Sequence, residues 1–261
     1  MKRNKLRQLL TDGRPTLGTR INSTWPSVIE AIAHTGVFDY VEFIAEYAPF
    51  TLHDLDHMAR TAELHDLSMM IKVDDEHHEY VAQRAVGSGF DSVLFTDCRS
   101  AADVEQCIRT IRPDTPEDGG RYGAAARRFA YMRYAGSPDY VQALRDIVIV
   151  MMIEKKPAVE ALDQILAADG LDMIQWGPSD YSMSIGRAGE RDNPEVEAAA
   201  NKVFKTAIQM GIPPRAEIVV ADDAKRYLDM GVRHFSINYD LRILHDFLRT
   251  HGEQVRRALE E

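Results

Sequence analysis

The sequence predicts an α/β protein folded as a single (β/α)8 TIM barrel. Three observations carry this. Eight short apolar runs recur along the chain, stretches of helical period separate them, and 261 residues match the roughly 250 that one such barrel takes. Hydrophobic residues make up 45% of the chain and charged residues 28%, a balance that allows a sizeable core. There is no low-complexity segment, no repeat of fixed period and no linker, so residues 1–261 read as one domain.

The apolar runs fall at 16–21, 40–44, 69–73, 92–95, 147–153, 173–176, 216–219 and 234–237. Between the second and third, Leu55, Met58, Ala59 and Ala62 repeat at helical spacing behind Thr51, a suitable N-cap. After the fifth, Val159, Leu162, Ile165 and Leu166 predict one further helix that ends at Gly170. The segment 112–145 departs from the pattern, because Pro, Gly, Arg and Tyr replace a simple helix, and a long excursion of this kind in a compact fold is usually functional. At the end of the chain Leu241, Ile243, Leu244, Phe247, Leu248 and Val255 give the last helix more apolar surface than one barrel flank covers.

A net charge of −10 argues against nucleic acid as a partner, since phosphate neutralisation needs a basic face. No run of about 18 apolar residues marks a membrane span, and the apolar stretch of the basic start is too short for a signal-peptide core, so the expected location is the cytoplasm. Cys98 and Cys107 lack CxxC spacing and read as buried thiols rather than a disulfide or a thiolate metal site.

Active sites of such barrels lie where the strands end, and here those ends are polar: Arg20, Glu46 with Tyr47, Lys72, Asp97, Glu154, Asp180, Glu217, and Asn238 with Asp240. Glu154 stands out because it follows seven apolar residues, and a carboxylate emerging from a buried strand needs a partner. In isolation that partner would be Lys155, Lys156 or Lys72. With Asp180 as a second carboxylate, the pair instead makes a hard oxygen shell suited to Mg²⁺ or Mn²⁺ and tolerant of Co²⁺ or Zn²⁺. The turn of Trp176, Gly177, Pro178, Ser179 and Asp180 opens a short helix whose first amides can meet an anion, which makes Gly177, Pro178 and Ser179 candidate substrate contacts. Trp25 and Trp176 read as packing residues, although Trp176, one residue from that turn, is also a candidate substrate contact. The acidic and histidine-containing stretch 74–79 reads as a solvated loop, and His53 with His57 as a surface pair. Arg127 and Arg128 either meet a second substrate carboxylate or make surface ion pairs.

At these residues the chain resembles the HpcH/HpaI aldolase family, metal-dependent class II pyruvate aldolases of the phosphoenolpyruvate/pyruvate barrel superfamily. The likeness spans nearly the whole chain and is strongest in Met152-Ile153-Glu154-Lys155-Lys156 and in Gly177-Pro178-Ser179-Asp180-Tyr181-Ser182, whose carboxylates lie 26 positions apart. The resemblance implies that Glu154 and Asp180 ligate the metal and that Glu46, in Glu46-Tyr47-Ala48-Pro49, matches the family's acidic residue. Tyr47 stands where the family has histidine, Lys72 where an arginine stabilises the enolate oxygen, and Met152 where glutamine is common. Gly120-Arg121-Tyr122-Gly123 takes the place of a Gly-Arg-Gly-like segment.

The activity implied is carbon–carbon bond formation or retro-aldol cleavage beside a 2-oxo acid, through a pyruvate-type enolate and with an aldehyde as the other reactant. Lys72 or Arg20 then adds positive charge where the oxyanion develops. A phenol, with a reference pKa of about 10, is a poor base at neutral pH, so Tyr47 is expected to orient substrate while water at the metal, oriented by Glu46, moves the proton. The resemblance also implies exchange of the last helix between subunits of a homo-oligomer, a dimer or a hexamer built from dimers. Two alternatives share the residues: a citrate-lyase-like acyl-CoA lyase or oxo acid decarboxylase of the same superfamily, and a barrel that binds 2-oxo acids without turnover.

Overall fold

The short apolar runs pair with their neighbours in chain order and close on themselves. In the computed structural model, which describes residues 3–124 and 133–260, eight parallel strands form one closed barrel. They are β1 (Thr16–Ile21), β2 (Tyr40–Ile44), β3 (Ser68–Val73), β4 (Ser92–Phe95), β5 (Val148–Ile153), β6 (Met173–Trp176), β7 (Pro214–Ile218) and β8 (His234–Tyr239). The described helices are α1 (Lys5–Thr11), α2 (Pro26–His34), α3 (Leu52–Leu64), α4 (His78–Ser88), α5 (Ala101–Ile111), α6 (Pro138–Arg145), α7 (Lys156–Glu160), α8 (Leu162–Leu166), α9 (Pro178–Ser184), α10 (Pro194–Gln209), α11 (Ala224–Asp229) and α12 (Asp240–Ala258). Among the described residues no helix is long and apolar enough to cross a membrane.

Thr51 caps α3 as expected, accepting from the Asp54 amide while the Asp54 carboxylate accepts from the Thr51 amide. The single helix expected after β5 is instead two, α7 and α8, broken at Ala161 (φ −94°, ψ 18°). Its cause is tertiary: the Lys202 ammonium donates to the Val159 carbonyl at 2.9 Å and so takes an acceptor that a continuous helix would use. β7 begins two residues earlier than its apolar run because Pro214 and Arg215 hide it. Proline is tolerated at a first strand residue, and Arg215 points into the barrel.

Alternation along each strand sends one set of side chains out to the helices and the other inward. The outward set, with Ile71, Phe95, Ile149 and Ile174 among it, joins the helix faces in the main core. Inside the barrel, Leu6 of α1 plugs the floor against Tyr40, Met70, Leu94, Val148, Val150 and Met173. Gly18 is required here, because a Cβ at this position would lie 2.3 Å from the Tyr40 ring.

Above that floor the interior turns ionic. Arg215 and Glu42, both fully buried, form an ion pair. Arg215 also donates through Nε to Gln175 Oε1 at 2.5 Å, Tyr40 Oη lies 3.4 Å from its Nη1, and the Tyr40 hydroxyl donates to the Phe235 carbonyl at 2.9 Å. Burial works against the charge on Arg215, but Glu42 outweighs it and the guanidinium stays protonated.

The excursion at 112–145 packs on helices where it is described. Arg121 and Tyr122 lie along α4 and α5: the Arg121 amide donates to the Arg109 carbonyl, and the Tyr122 hydroxyl to the Gln83 carbonyl. Arg145 of α6 pairs with Glu117 and Asp118. Arg127 and Arg128 lie outside the described residues. Trp25 corrects an expectation, since it is 73% exposed rather than packed.

Removing one partner of a buried ion pair leaves an uncompensated charge, at a cost on the order of 3–5 kcal/mol. Glu42→Ala should therefore lower the urea-unfolding free energy by about that amount, whereas Glu42→Leu combined with Arg215→Met should regain most of it. Equal loss in the single and double variants would show that the pair does not govern the interior.

Candidate active site

Every strand end at the C-terminal mouth carries a polar side chain, and the fold pairs most of them. Arg20, at the end of β1, reaches across to Glu217 of β7 (2.7 Å), and its Nε donates to the Asn238 carbonyl at 3.2 Å. Lys72, at the end of β3, meets Glu46 in the turn after β2 at 2.5 Å. The Lys72 ammonium also lies 4.8 Å from the centroid of the Tyr47 ring. Burial favours the neutral amine, but Glu46 outweighs it and holds the Lys72 pKa above the usual lysine range.

Glu154 emerges inward from β5, only 2% exposed. Its Oε1 accepts the Asp97 amide at 2.9 Å, and that amide is aimed by a left-handed backbone at Asp97 (φ 59°), a conformation an aspartate tolerates at modest cost. Among the described residues Glu154 is the buried carboxylate of this mouth without an ion pair. Burial raises its pKa to about 7, against the Asp97 amide and Lys72, with Asp180 and Asp97 adding to the rise. The space beside it depends on Gly177, where a Cβ would sit 2.6 Å from both Glu154 Cβ and Oε2.

Asp180, in the first turn of α9, is more open, and its Oδ1 accepts from Lys155 Nζ at 3.0 Å. The same ammonium lies 2.6 Å from Asp97 Oδ1. Lys155 thus serves Asp97 and Asp180 rather than Glu154, and Lys156 is a surface residue beside Glu160. Among the described residues no three His, Cys, Asp or Glu side chains form a metal-holding group. Glu154 and Asp180 nevertheless fit a divalent ion that takes its remaining ligands from water and substrate. One is a buried carboxylate without an ion pair among the described residues, and the other already holds a cationic nitrogen.

Gly177, Pro178 and Ser179 follow β6 directly, and of the three Gly177 lies against Glu154. Trp176 is different: its ring faces the helix layer, buried, 4.8 Å from the Tyr181 ring, so this position supplies packing and not a ring at the mouth. Tyr47 lies at the rim and is exposed. The surrounding protein still desolvates its phenol and pushes it up to about 12, with Lys72 opposing and Glu46 reinforcing the shift. His53 and His57 are exposed on α3.

Two groups escaped the sequence reading. Asp97 appeared only as one polar strand end, yet it connects Glu154 to Lys155. Gln175 links the interior to the mouth, accepting from Arg215 and donating to Glu217 Oε1 at 2.5 Å. A polar residue in the middle of a four-residue apolar run was the available signal.

A family model described as HpcH/HpaI aldolase/citrate lyase matches residues 18–246. The 5-keto-4-deoxy-D-glucarate aldolase of Klebsiella pneumoniae is 26% identical over 241 residues, covering 92% of each chain. The 4-hydroxy-2-oxo-heptane-1,7-dioate aldolase of Escherichia coli is 26% identical over 242 residues, 92% of this chain and 90% of that one. The crystal structure of an HpcH/HpaI aldolase from Desulfitobacterium hafniense superposes with a TM-score of 0.87 at 22% identity over 96% of each chain, a likeness of fold.

The raised pKa of Glu154 sets a pH dependence of known sign. Between about 4.5 and about 7 the folded metal-free protein retains a proton that the unfolded chain releases, so stability falls as pH rises through this window. The full effect is on the order of 3 kcal/mol. Glu154→Gln should flatten this part of the pH–stability curve in chelator-treated protein. A slope unchanged in the variant would place the proton elsewhere.

Proposed function

Since this chain belongs to the HpcH/HpaI aldolase/citrate lyase family, we propose that it is a divalent-metal-dependent carbon–carbon lyase that makes or breaks the bond beside a 2-oxo acid, with an aldehyde as the other reactant. The observation that carries this reading is the buried Glu154 carboxylate at the barrel mouth, without an ion pair among the described residues and within electrostatic reach of Asp180. Its aldolase relatives in Klebsiella pneumoniae and Escherichia coli, alike over nine-tenths of the chain, support the same reaction class.

Glu154 and Asp180 would hold Mg²⁺ or Mn²⁺, with Co²⁺ or Zn²⁺ as tolerated substitutes. Bound there, the ion supplies Lewis-acid polarisation of a keto oxygen and a template for the oxo acid. The substrate carboxylate docks at Gly177, Pro178 and Ser179, where the missing Cβ of residue 177 leaves room beside Glu154. Lys72, kept charged by Glu46, faces the developing oxyanion with an ammonium that cannot lose its proton at neutral pH. It offers a point charge where an arginine would offer a fork. Arg20 supplies a second cation across the mouth, its direction fixed by Glu217 and the Asn238 carbonyl.

Tyr47 donates a hydrogen bond and orients substrate. With its phenol pushed up to about 12 it is a weaker base than free tyrosine, so proton transfer at the enolate carbon does not depend on it. The free, buried thiols of Cys98 and Cys107 suit a reducing compartment, and we place the protein in the cytoplasm.

We also assign a homo-oligomer in which α12 packs on a neighbouring subunit. Leu241, Ile243, Leu244, Phe247, Leu248 and Val255 of this helix are 51–61% exposed, and none of its residues is buried by its own barrel.

Exchange of the pyruvate methyl hydrogens in D₂O with Mn²⁺ tests the chemistry without knowledge of the aldehyde. Glu154→Ala and Asp180→Ala should each abolish exchange while circular dichroism stays unchanged, and Tyr47→Phe should slow it less than about tenfold, since loss of a true acid–base group costs on the order of 10²–10⁴. Wild-type exchange in either carboxylate variant would refute the site, and a hundredfold fall in Tyr47→Phe would make Tyr47 the proton carrier. Light scattering should give a mass that is a multiple of 29.5 kDa at micromolar concentration, a stable monomer being the contrary result.

A further inference from the structure

We propose that Lys155 is a resident cation of the metal site, which occupies Asp180 in the metal-free protein and swings wholly onto Asp97 when a divalent ion binds. The inference rests on the metal reading above and assigns a role to a residue which that reading leaves idle.

The geometry is that of a switch with two contacts. Lys155 follows Glu154 directly, and its backbone is extended (φ −118°, ψ 143°) at the point where β5 gives way to α7. From there its ammonium reaches Asp97 Oδ1 at 2.6 Å and Asp180 Oδ1 at 3.0 Å. The side chain is 16% exposed, so water screens these contacts only in part. Asp97 is itself fixed: the Arg99 guanidinium donates to its carbonyl at 3.0 Å, and its amide is committed to Glu154. Asp180, on the short α9, accepts Lys155 alone among the described side-chain cations.

A dication on Asp180 would share that carboxylate with an ammonium a few ångströms away, and like charges at such range repel strongly in a partly buried site. Asp97 removes the conflict, since it gives Lys155 a second anionic partner to keep when Asp180 is surrendered. Lys155 therefore weakens metal binding, and Asp97 limits the loss. Lys155 is a positioning residue in this scheme: it acts on the ion's affinity, through Asp180.

Mn²⁺ binding, followed by the electron paramagnetic resonance of the free ion at fixed pH, reads this directly. Lys155→Met should bind Mn²⁺ at least tenfold more tightly than wild type, with Lys155→Gln as a second neutral variant and the exposed Lys156→Met as a control that leaves affinity unchanged. Asp97→Asn should weaken binding, by confining Lys155 to Asp180, but should have no effect when Lys155→Met is already present. Unchanged or weaker binding in folded Lys155→Met and Lys155→Gln would overturn the proposal. So would weakening by Asp97→Asn in the Lys155→Met background, which would make Asp97 a ligand. Mn²⁺ binding by none of these proteins would overturn the metal reading itself, and this inference with it.

Discussion

The buried Arg215–Glu42 pair is the interaction on which the arrangement of the barrel depends. A charge in the barrel interior is in the least polarisable part of the molecule, where a guanidinium is stable only if its donors are met. Glu42 meets the charge and Gln175 meets the fork. The Gln175 amide is then left to donate to Glu217, and Glu217 in turn holds Arg20 at the mouth. The orientation of a side chain at the site is thus set by an ion pair below it, through members each of which has one acceptable direction. Such a relay contributes register more than stability, because apolar residues of the same volume would fill the barrel at no greater cost.

At the mouth itself, charge is balanced by pairs that cross between strand ends: β1 with β7, β2 with β3, and β5 with both β4 and the start of α9. Each cation is pinned by at least one carboxylate, which explains how an acidic protein keeps ammonium and guanidinium groups ordered around an open cavity. Glu154 is the exception. Burial and two neighbouring carboxylates disfavour its ionised form, and one backbone amide with Lys72 nearby does not offset them. The site is electrostatically incomplete at one corner, and that corner is bordered by a glycine that admits no side chain.

Much of this was legible in the sequence, because the fold repeats one signal. The ends of β1, β2, β4 and β6 fall where apolar runs stop, and Glu154 is visible because a carboxylate ends the longest of them. What failed to show was whatever depends on contacts between distant segments. β7 is masked by Pro214 and Arg215, whose partner Glu42 lies 173 positions away. The break between α7 and α8 is made by Lys202, and no local propensity at Ala161 announces it. Lys155 looked like a partner for its neighbour Glu154, but strand geometry sends the two side chains to different carboxylate environments. Trp25 shows the limit from the other side: an aromatic residue suggests packing, yet the described residues leave it mostly exposed.

The terminal helix α12 carries a thermodynamic consequence. Its own internal ion pairs, Arg242–Asp246, Arg249–Asp246 and Arg257–Glu253, are surface contacts, screened by water and weak in net effect. A helix of 19 residues held by these alone is marginal in water. Most of its order must then come from whatever surface receives its apolar face. If that surface belongs to another copy, helicity over residues 240–258 is governed by mass action: protein concentration becomes a variable of the fold, and dilution acts on this helix as a denaturant would, while the closed barrel, whose core is internal, is indifferent to it.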